Sequence, residues 1–284
     1  MSGITMNQTP LTIIERRKGL ASFSLKEFWE HKDLLYFLVL RDITVIYKQS
    51  VLGFAWALIN PVFSMIVFSV VFGKLADVPS DGIPYPIFSY AALIPWTYFS
   101  NTLNASGTSL ISNASMFTKV YFPRLIIPLT PVLSKLADFA ISFVLLIVLM
   151  FYYGYFPTSK LFILPLLILI MMIAATGLGC WLSALAIQYR DVKFGITFAV
   201  PLLMYVAPVV FPASLVLKKF GGDVYLLYGL YPMTGVIEGF RAAVVSNKAI
   251  PWDLIGMSAV GASVLFIIGL RVFRKLENRF ADVA

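Results

Sequence analysis

The sequence predicts an all-α membrane protein with six transmembrane helices, and three observations carry that prediction. Hydrophobic residues make up 60% of the 284 and charged residues only 13%, against about 45–50% and about 25% in soluble domains. Six apolar runs are each long enough to cross roughly 30 Å of hydrocarbon at about 1.5 Å per residue. The runs are continuously apolar, without the two-residue alternation of a membrane β-strand. A mean hydropathy of +0.87 excludes a disordered chain and argues against a soluble globular one. The spans are predicted over 51–73, 86–108, 125–152, 161–187, 195–216 and 253–273.

The first 20 residues, MSGITMNQTPLTIIERRKGL, do not read as a signal peptide. Their basic cluster, Arg16-Arg17-Lys18, follows the weakly apolar stretch instead of preceding it. An even number of spans puts both termini on one side, and the basic residues choose the side. The tail, the loop with Lys119 and Arg124, the loop with Arg190 and Lys193, and the C-terminal Arg271, Arg274, Lys275 and Arg279 hold most of them. The opposite face has Lys74, Lys160, Lys218, Lys219, Arg241 and Lys248. Both termini are therefore placed in the cytoplasm. The net charge of +8 is thus a topology signal, and no nucleic-acid partner is inferred from it. The chain divides into a cytoplasmic tail, 1–50, and a six-span domain, 51–284.

Within the tail, Leu25, Phe28, Trp29, Leu35 and Tyr36 share one stripe of a helix over 25–36, which suits an interfacial position. Residues 37–48, FLVLRDITVIYK, are too short and too charged to span and form a second helix. Asn60-Pro61 interrupts the first span and predicts a kink. In the loop after span 2, Met116, Phe117, Val120 and Tyr121 share one face of a short turn that Pro123 ends. That face fits a groove on another protein or a lipid surface. Lys135 and Asp138 lie near mid-depth of span 3. Intramembrane charges mark function by default, yet the i,i+3 spacing also lets the two neutralise each other. Cys180, after Gly177 and Gly179, reads as helix packing. The segment 218–250 is broken at Gly221-Gly222 and Tyr231-Pro232 into pieces too short to cross. It predicts a re-entrant helical hairpin on the outer face, with Glu238 and Arg241 paired at i,i+3.

Chemical motifs are absent. There is no G-x-x-x-x-G-K-[ST], no H-E-x-x-H and no G-x-S-x-G. The single His31 excludes a multi-histidine metal site, and the single cysteine excludes an internal disulfide. No catalytic, cofactor-binding or metal-binding residue is assigned. Aromatic residues reach 15%. Trp56, Asn60 and Phe63 recur on one face of span 1, Trp96 and Phe99 on span 2, and Phe198 and Tyr205 on span 5. The set is expected to line a conduit between two copies of the chain. Aromatic rings also build interfacial belts.

Five stretches, in this order and spacing, resemble the permease subunits of bacterial polysaccharide-exporting ABC transporters of the O-antigen, capsule and teichoic-acid type. They are Arg41-Asp42 through Tyr47-Lys48-Gln49 with LGFAWALINP at 52–61, TKVYFPRLIIPL at 118–129, LSALAIQYRDVKF at 182–194, APVVFP at 207–212 and YPMTGVIEGFR at 231–241. The resemblance implies a homodimer in the bacterial inner membrane with two ABC nucleotide-binding subunits. ATP and Mg²⁺ would be bound on those partners, and a lipid-linked polysaccharide would be exported. It implies that the helix around 37–48, with Arg41, Asp42, Tyr47 and Lys48, gates the cytoplasmic entrance. It also implies that Met116, Phe117, Lys119, Val120 and Tyr121 form the coupling helix. The alternatives are an ABC permease for drugs or small lipids, and a membrane enzyme modifying lipid-linked sugars.

Overall fold

The computed structural model describes residues 29–48, 55–117, 122–245 and 248–277, and the regular elements among them are all helical. The first is α1, Lys32–Lys48. It runs unbroken through 36–37, where the sequence suggested a division between two helices. No glycine or proline stands between Lys32 and Lys48, so nothing interrupts the ladder. Asp33 in its first turn and Lys48 in its last complement the helix dipole. Residues 25–28 of the expected interfacial helix lie outside the described residues.

Span 1 is α2, Ala55–Phe68, with Pro61 inside it. It continues as a π-helix over Ser69–Leu75, where the turn widens and Ala76 N donates to Val71 O at 2.9 Å. Then follow α3, Tyr85–Ser112, the short α4, Ala114–Phe117, and α5, Ile126–Tyr152. A 3₁₀ turn, Ser159–Ile163, leads into α6, Leu164–Gln188. Next are α7, Asp191–Val206, the three short helices α8, Ser214–Phe220, α9, Gly222–Gly229, and α10, Pro232–Val244, and finally α11, Trp252–Glu277.

Among the described residues, four stretches are both long and apolar enough to cross a membrane: Ala55–Leu75, Ile126–Tyr152, Ser159–Gln188 and Trp252–Glu277. The other two expected spans differ for separate reasons. Helix α3 has the length, at 28 residues, but its second half is rich in Ser, Thr and Asn. Helix α7 has only 16 residues and ends at Val206, short of the expected 216, because the chain leaves the helix at Ala207-Pro208. Between α7 and α11 the chain forms α8 to α10, with breaks at Gly221 and Tyr231-Pro232 as the sequence suggested.

The bundle is built around α3, α6 and α11, with α10 wholly buried among them. Helices α6 and α11 touch backbone to backbone. A Cβ on Gly269 would collide with the Gly177 carbonyl, and one on Gly177 would meet Phe266. Gly177 therefore serves close packing, and the neighbouring Cys180 is fully buried. Coverage is uneven: 44% of the best apolar window in 159–188 is buried, against 6% in 55–75.

Candidate functional site

Two cavities lie along one side of the bundle. The larger, about 530 Å³, is walled by α1 through Leu38, Arg41, Asp42 and Val45, by α3 through Ala105, Thr108, Ser109, Ser112 and Asn113, and by α5 from Ile127 to Lys135. The smaller, about 210 Å³, is walled by Trp56, Ala57, Asn60 and Pro61 of α2, by Ile94, Thr97, Tyr98 and Asn101 of α3, and by α5 from Lys135 to Ser142. Lys135 borders both. Its Nζ donates to Asp138 Oδ2 at 3.1 Å, and both side chains keep partial exposure, 19% and 23%. The expected pair is thus formed, at a junction between two wettable spaces.

The polar wall has a definite sense. Thr108 Oγ1 donates to Asn104 O, Ser109 Oγ to Ser106 O, Ser112 Oγ to Thr108 O and Thr130 Oγ1 to Ile126 O. Each hydroxyl hydrogen is spent on the residue's own helix, so what these groups offer outward is oxygen lone pairs. At the mouth, Arg41 Nη2 donates to Asp42 Oδ1 at 2.9 Å and to Asn113 Oδ1 at 3.3 Å. The second bond fastens α1 to the end of α3. On the small-cavity side, Ser142 Oγ lies 3.0 Å from Ala57 O, which holds α5 against α2.

A second charged centre lies near the other end of the bundle. Arg241 is fully buried, with Nη1 2.8 Å from Glu238 Oε1 and its guanidinium 3.5 Å from the centre of the Phe88 ring. Three more of its hydrogens reach the carbonyls of Phe88, Val209 and Phe211. Glu238 also accepts from Ala213 N at 3.0 Å and from Lys248 Nζ at 2.8 Å. Lys248 reaches on to Asp81 at 3.1 Å, and Asp81 accepts from Ser214 Oγ at 2.8 Å. Burial pushes the Glu238 carboxyl up, but Arg241, Lys248 and the Ala213 N–H more than offset it and hold the group below the ordinary glutamate range. The arrangement ties the 76–84 loop, the start of α3, the 207–213 turn and the loop after α10 to a single guanidinium.

The other expected residues are distributed as follows. Trp96 and Phe99 are buried in the core, with rings 6.0 Å apart, and do not share the surface of the remaining aromatic set. Trp56, Phe63, Phe198 and Tyr205 are exposed. Met116 packs inward against the small cluster of Leu110, Phe122, Ile127, Cys180, Ala184 and Phe273. It is turned away from the outward apolar face expected of it, because that cluster offers it apolar neighbours. The side chains of Tyr47 and Phe117, and all of Lys119, Val120 and Tyr121, lie outside the described residues. Lys48 is exposed at the end of α1. Sequence reasoning missed Lys248 as the shared partner of Glu238 and Asp81, and the 167 positions between Lys248 and Asp81 leave no local pattern. The hydroxyl row of α3 was visible as composition alone.

Comparison with known proteins gives the arrangement a context. Residues 33–245 match the ABC-2 type transporter family. An O-antigen export system permease protein, RfbA, of Myxococcus xanthus is 26% identical over 91% of this chain and 98% of its own length. A protein of the same name from Klebsiella pneumoniae is 28% identical over 88% and 95%. The polysialic acid transport protein KpsM of Escherichia coli is 23% identical over 85% and 92%.

Proposed function

The chain belongs to the ABC-2 type transporter family, and from that premise we propose that it is the permease subunit of an exporter for a lipid-linked, O-antigen-like polysaccharide. It is a transporter permease and not an enzyme. ATP and Mg²⁺ are handled by two separate nucleotide-binding subunits on a permease homodimer in the bacterial inner membrane. The names of the relatives support the cargo class. So does one observation on this chain itself: the large cavity offers a row of hydroxyl oxygens whose hydrogens are already committed. Such a wall accepts hydrogen bonds from a polyol. An apolar drug or lipid tail would leave those oxygens without a partner.

In this reading the chain crosses six times with both termini cytoplasmic. Helices α3 and α7 join the four more apolar spans to make six, and α8 to α10 form the outer re-entrant segment. Residues 1–50 form the cytoplasmic tail, and α1 is the entrance gate, with Arg41 and Asp42 at its lip and Tyr47 and Lys48 beyond. The loop containing Phe117, Lys119, Val120 and Tyr121 couples to the ATPase, with Met116 as its inward anchor. The exposed Trp56, Phe63, Phe198 and Tyr205, with Asn60, face the second copy and line the conduit. Trp96 and Phe99 hold the core behind them.

The test is deletion and complementation. A strain lacking this chain should keep its long-chain glycan inside the cell, and a plasmid copy should restore it to the surface. Co-purification with an ATP-binding cassette subunit should accompany the rescue. Normal surface glycan in the deletion strain would refute the reading.

A further inference from the structure

We propose that Lys135 is a binding group for a phosphate-class oxyanion on the cargo, and that Asp138 is the internal counter-ion it leaves when the cargo arrives. The proposal rests on the polysaccharide-exporter reading for the cargo, and on the following geometry for the site.

An ammonium carries three N–H donors. Lys135 uses one, on Asp138 at 3.1 Å, and its side chain borders both the 530 Å³ and the 210 Å³ cavity. Two donors are left for a ligand in the spaces it borders. The other cation of the large cavity, Arg41, stands at the mouth, where Nε and Nη2 are held by Asp42 and Asn113. The hydroxyls between the two cations present lone pairs, which repel an anion as readily as they accept from a sugar. Lys135 is thus the donor an oxyanion would find at the inner end of this cavity. Asp138 borders the small cavity and not the large one, so an oxyanion coming from the α1 side meets the lysine before the aspartate. A bond between partly exposed groups at i,i+3 is weak enough to exchange. A charged group near mid-depth of a span is costly without such a use.

The exchange is a competition of anions for one ammonium, with no covalent step. Phosphate and diphosphate suit it because they bring more negative charge than a single carboxylate. The same chemistry is found on a lipid carrier and on a free ion, so the test separates them.

The probes are farnesyl diphosphate, sodium diphosphate and farnesol. Each is titrated against the full-length chain with its co-expressed ATPase subunit in zwitterionic nanodiscs, without nucleotide. Farnesyl diphosphate should bind and farnesol should not. Lys135→Gln should weaken binding about tenfold or more, the loss of one charge-assisted bond. Lys135→Arg should retain most of the affinity, and Asp138→Asn should bind more tightly because the competing carboxylate is gone. Displacement by sodium diphosphate at equal concentration would mean that the headgroup alone is read, and weak displacement that the lipid contributes. Both results support the site. Wild-type affinity in Lys135→Gln, or weaker binding in Asp138→Asn, would overturn it. If Lys135→Gln fails to fold, the opposite signs expected for Asp138→Asn in the oxyanion and structural readings still decide. The readout is binding without transport, so failure of the exporter reading appears in the glycan complementation and failure of this site appears here.

Discussion

Glu238–Arg241 and Lys135–Asp138 have the same spacing, three residues on one helix, and nearly the same chemistry. Their surroundings separate them. The first has side chains 4% and 0% exposed, and five further polar groups from three segments complete its bonding. The second opens onto two cavities. A fully buried pair with four of its five guanidinium hydrogens bonded holds structure together. A pair with donors left over, facing space, is free to exchange partners. The comparison teaches that spacing identifies a pair, while the number of remaining bonds shows what the pair can do.

The strongest way to break this contrast is to remove one partner of the sealed pair. Arg241→Met should cost about 3–5 kcal/mol, because Glu238 keeps a buried charge beside only Lys248. Chemical unfolding in detergent, or the yield of monodisperse protein, measures it. A loss below about 1 kcal/mol would put the guanidinium outside the structural core. Lys248→Met should cost less, about 1–3 kcal/mol, since it deletes two charge-assisted bonds but leaves Arg241 on Glu238.

Acid sharpens the same point more gently. The Glu238 carboxyl is held below its ordinary value, so the native state binds its proton later than the unfolded chain. The stability it contributes is fully present above the unfolded value of about 4.3 and is lost as pH falls through the depressed folded one. Glu238→Gln should flatten that acid limb in a pH series of unfolding midpoints. An unchanged limb would show that other carboxylates dominate it. The smallest effect is expected at the open pair. Lys135→Gln combined with Asp138→Asn should shift stability by about 1 kcal/mol or less, while glycan export falls. A large stability loss there would erase the contrast.

The sequence made much of this legible. Four of the six expected apolar runs are helices long and apolar enough to cross a membrane, and i,i+3 spacing identified both ion pairs before any coordinates. Gly221 and Pro232 marked breaks that exist. Fates set by tertiary surroundings were illegible. Trp96 and Trp56 look alike in sequence, yet one is buried between helices and the other exposed, because α3 is central and α2 peripheral. Met116 sits at the right period for an outward face and turns inward, because a hydrophobic cluster from α3, α5, α6 and α11 lies beneath it. The run 37–48 was separated from 25–36 on length and charge, whereas the chain turns at His31 and α1 runs on unbroken from Lys32 to Lys48.

The knot around Arg241 also sets a timetable for biogenesis. Its members run from Asp81 and Phe88, made early, to Lys248, made some 167 positions later. Until translation passes residue 248, Glu238 and Arg241 lack part of their network, and the early segments have nothing to close upon. The early members of the network must therefore wait for their late partner. The network closes only when α11 is about to be made. A ribosome-stalled chain ending before Lys248 would lack the lysine that joins Asp81 to Glu238, and should be open to proteases at sites that the finished protein conceals.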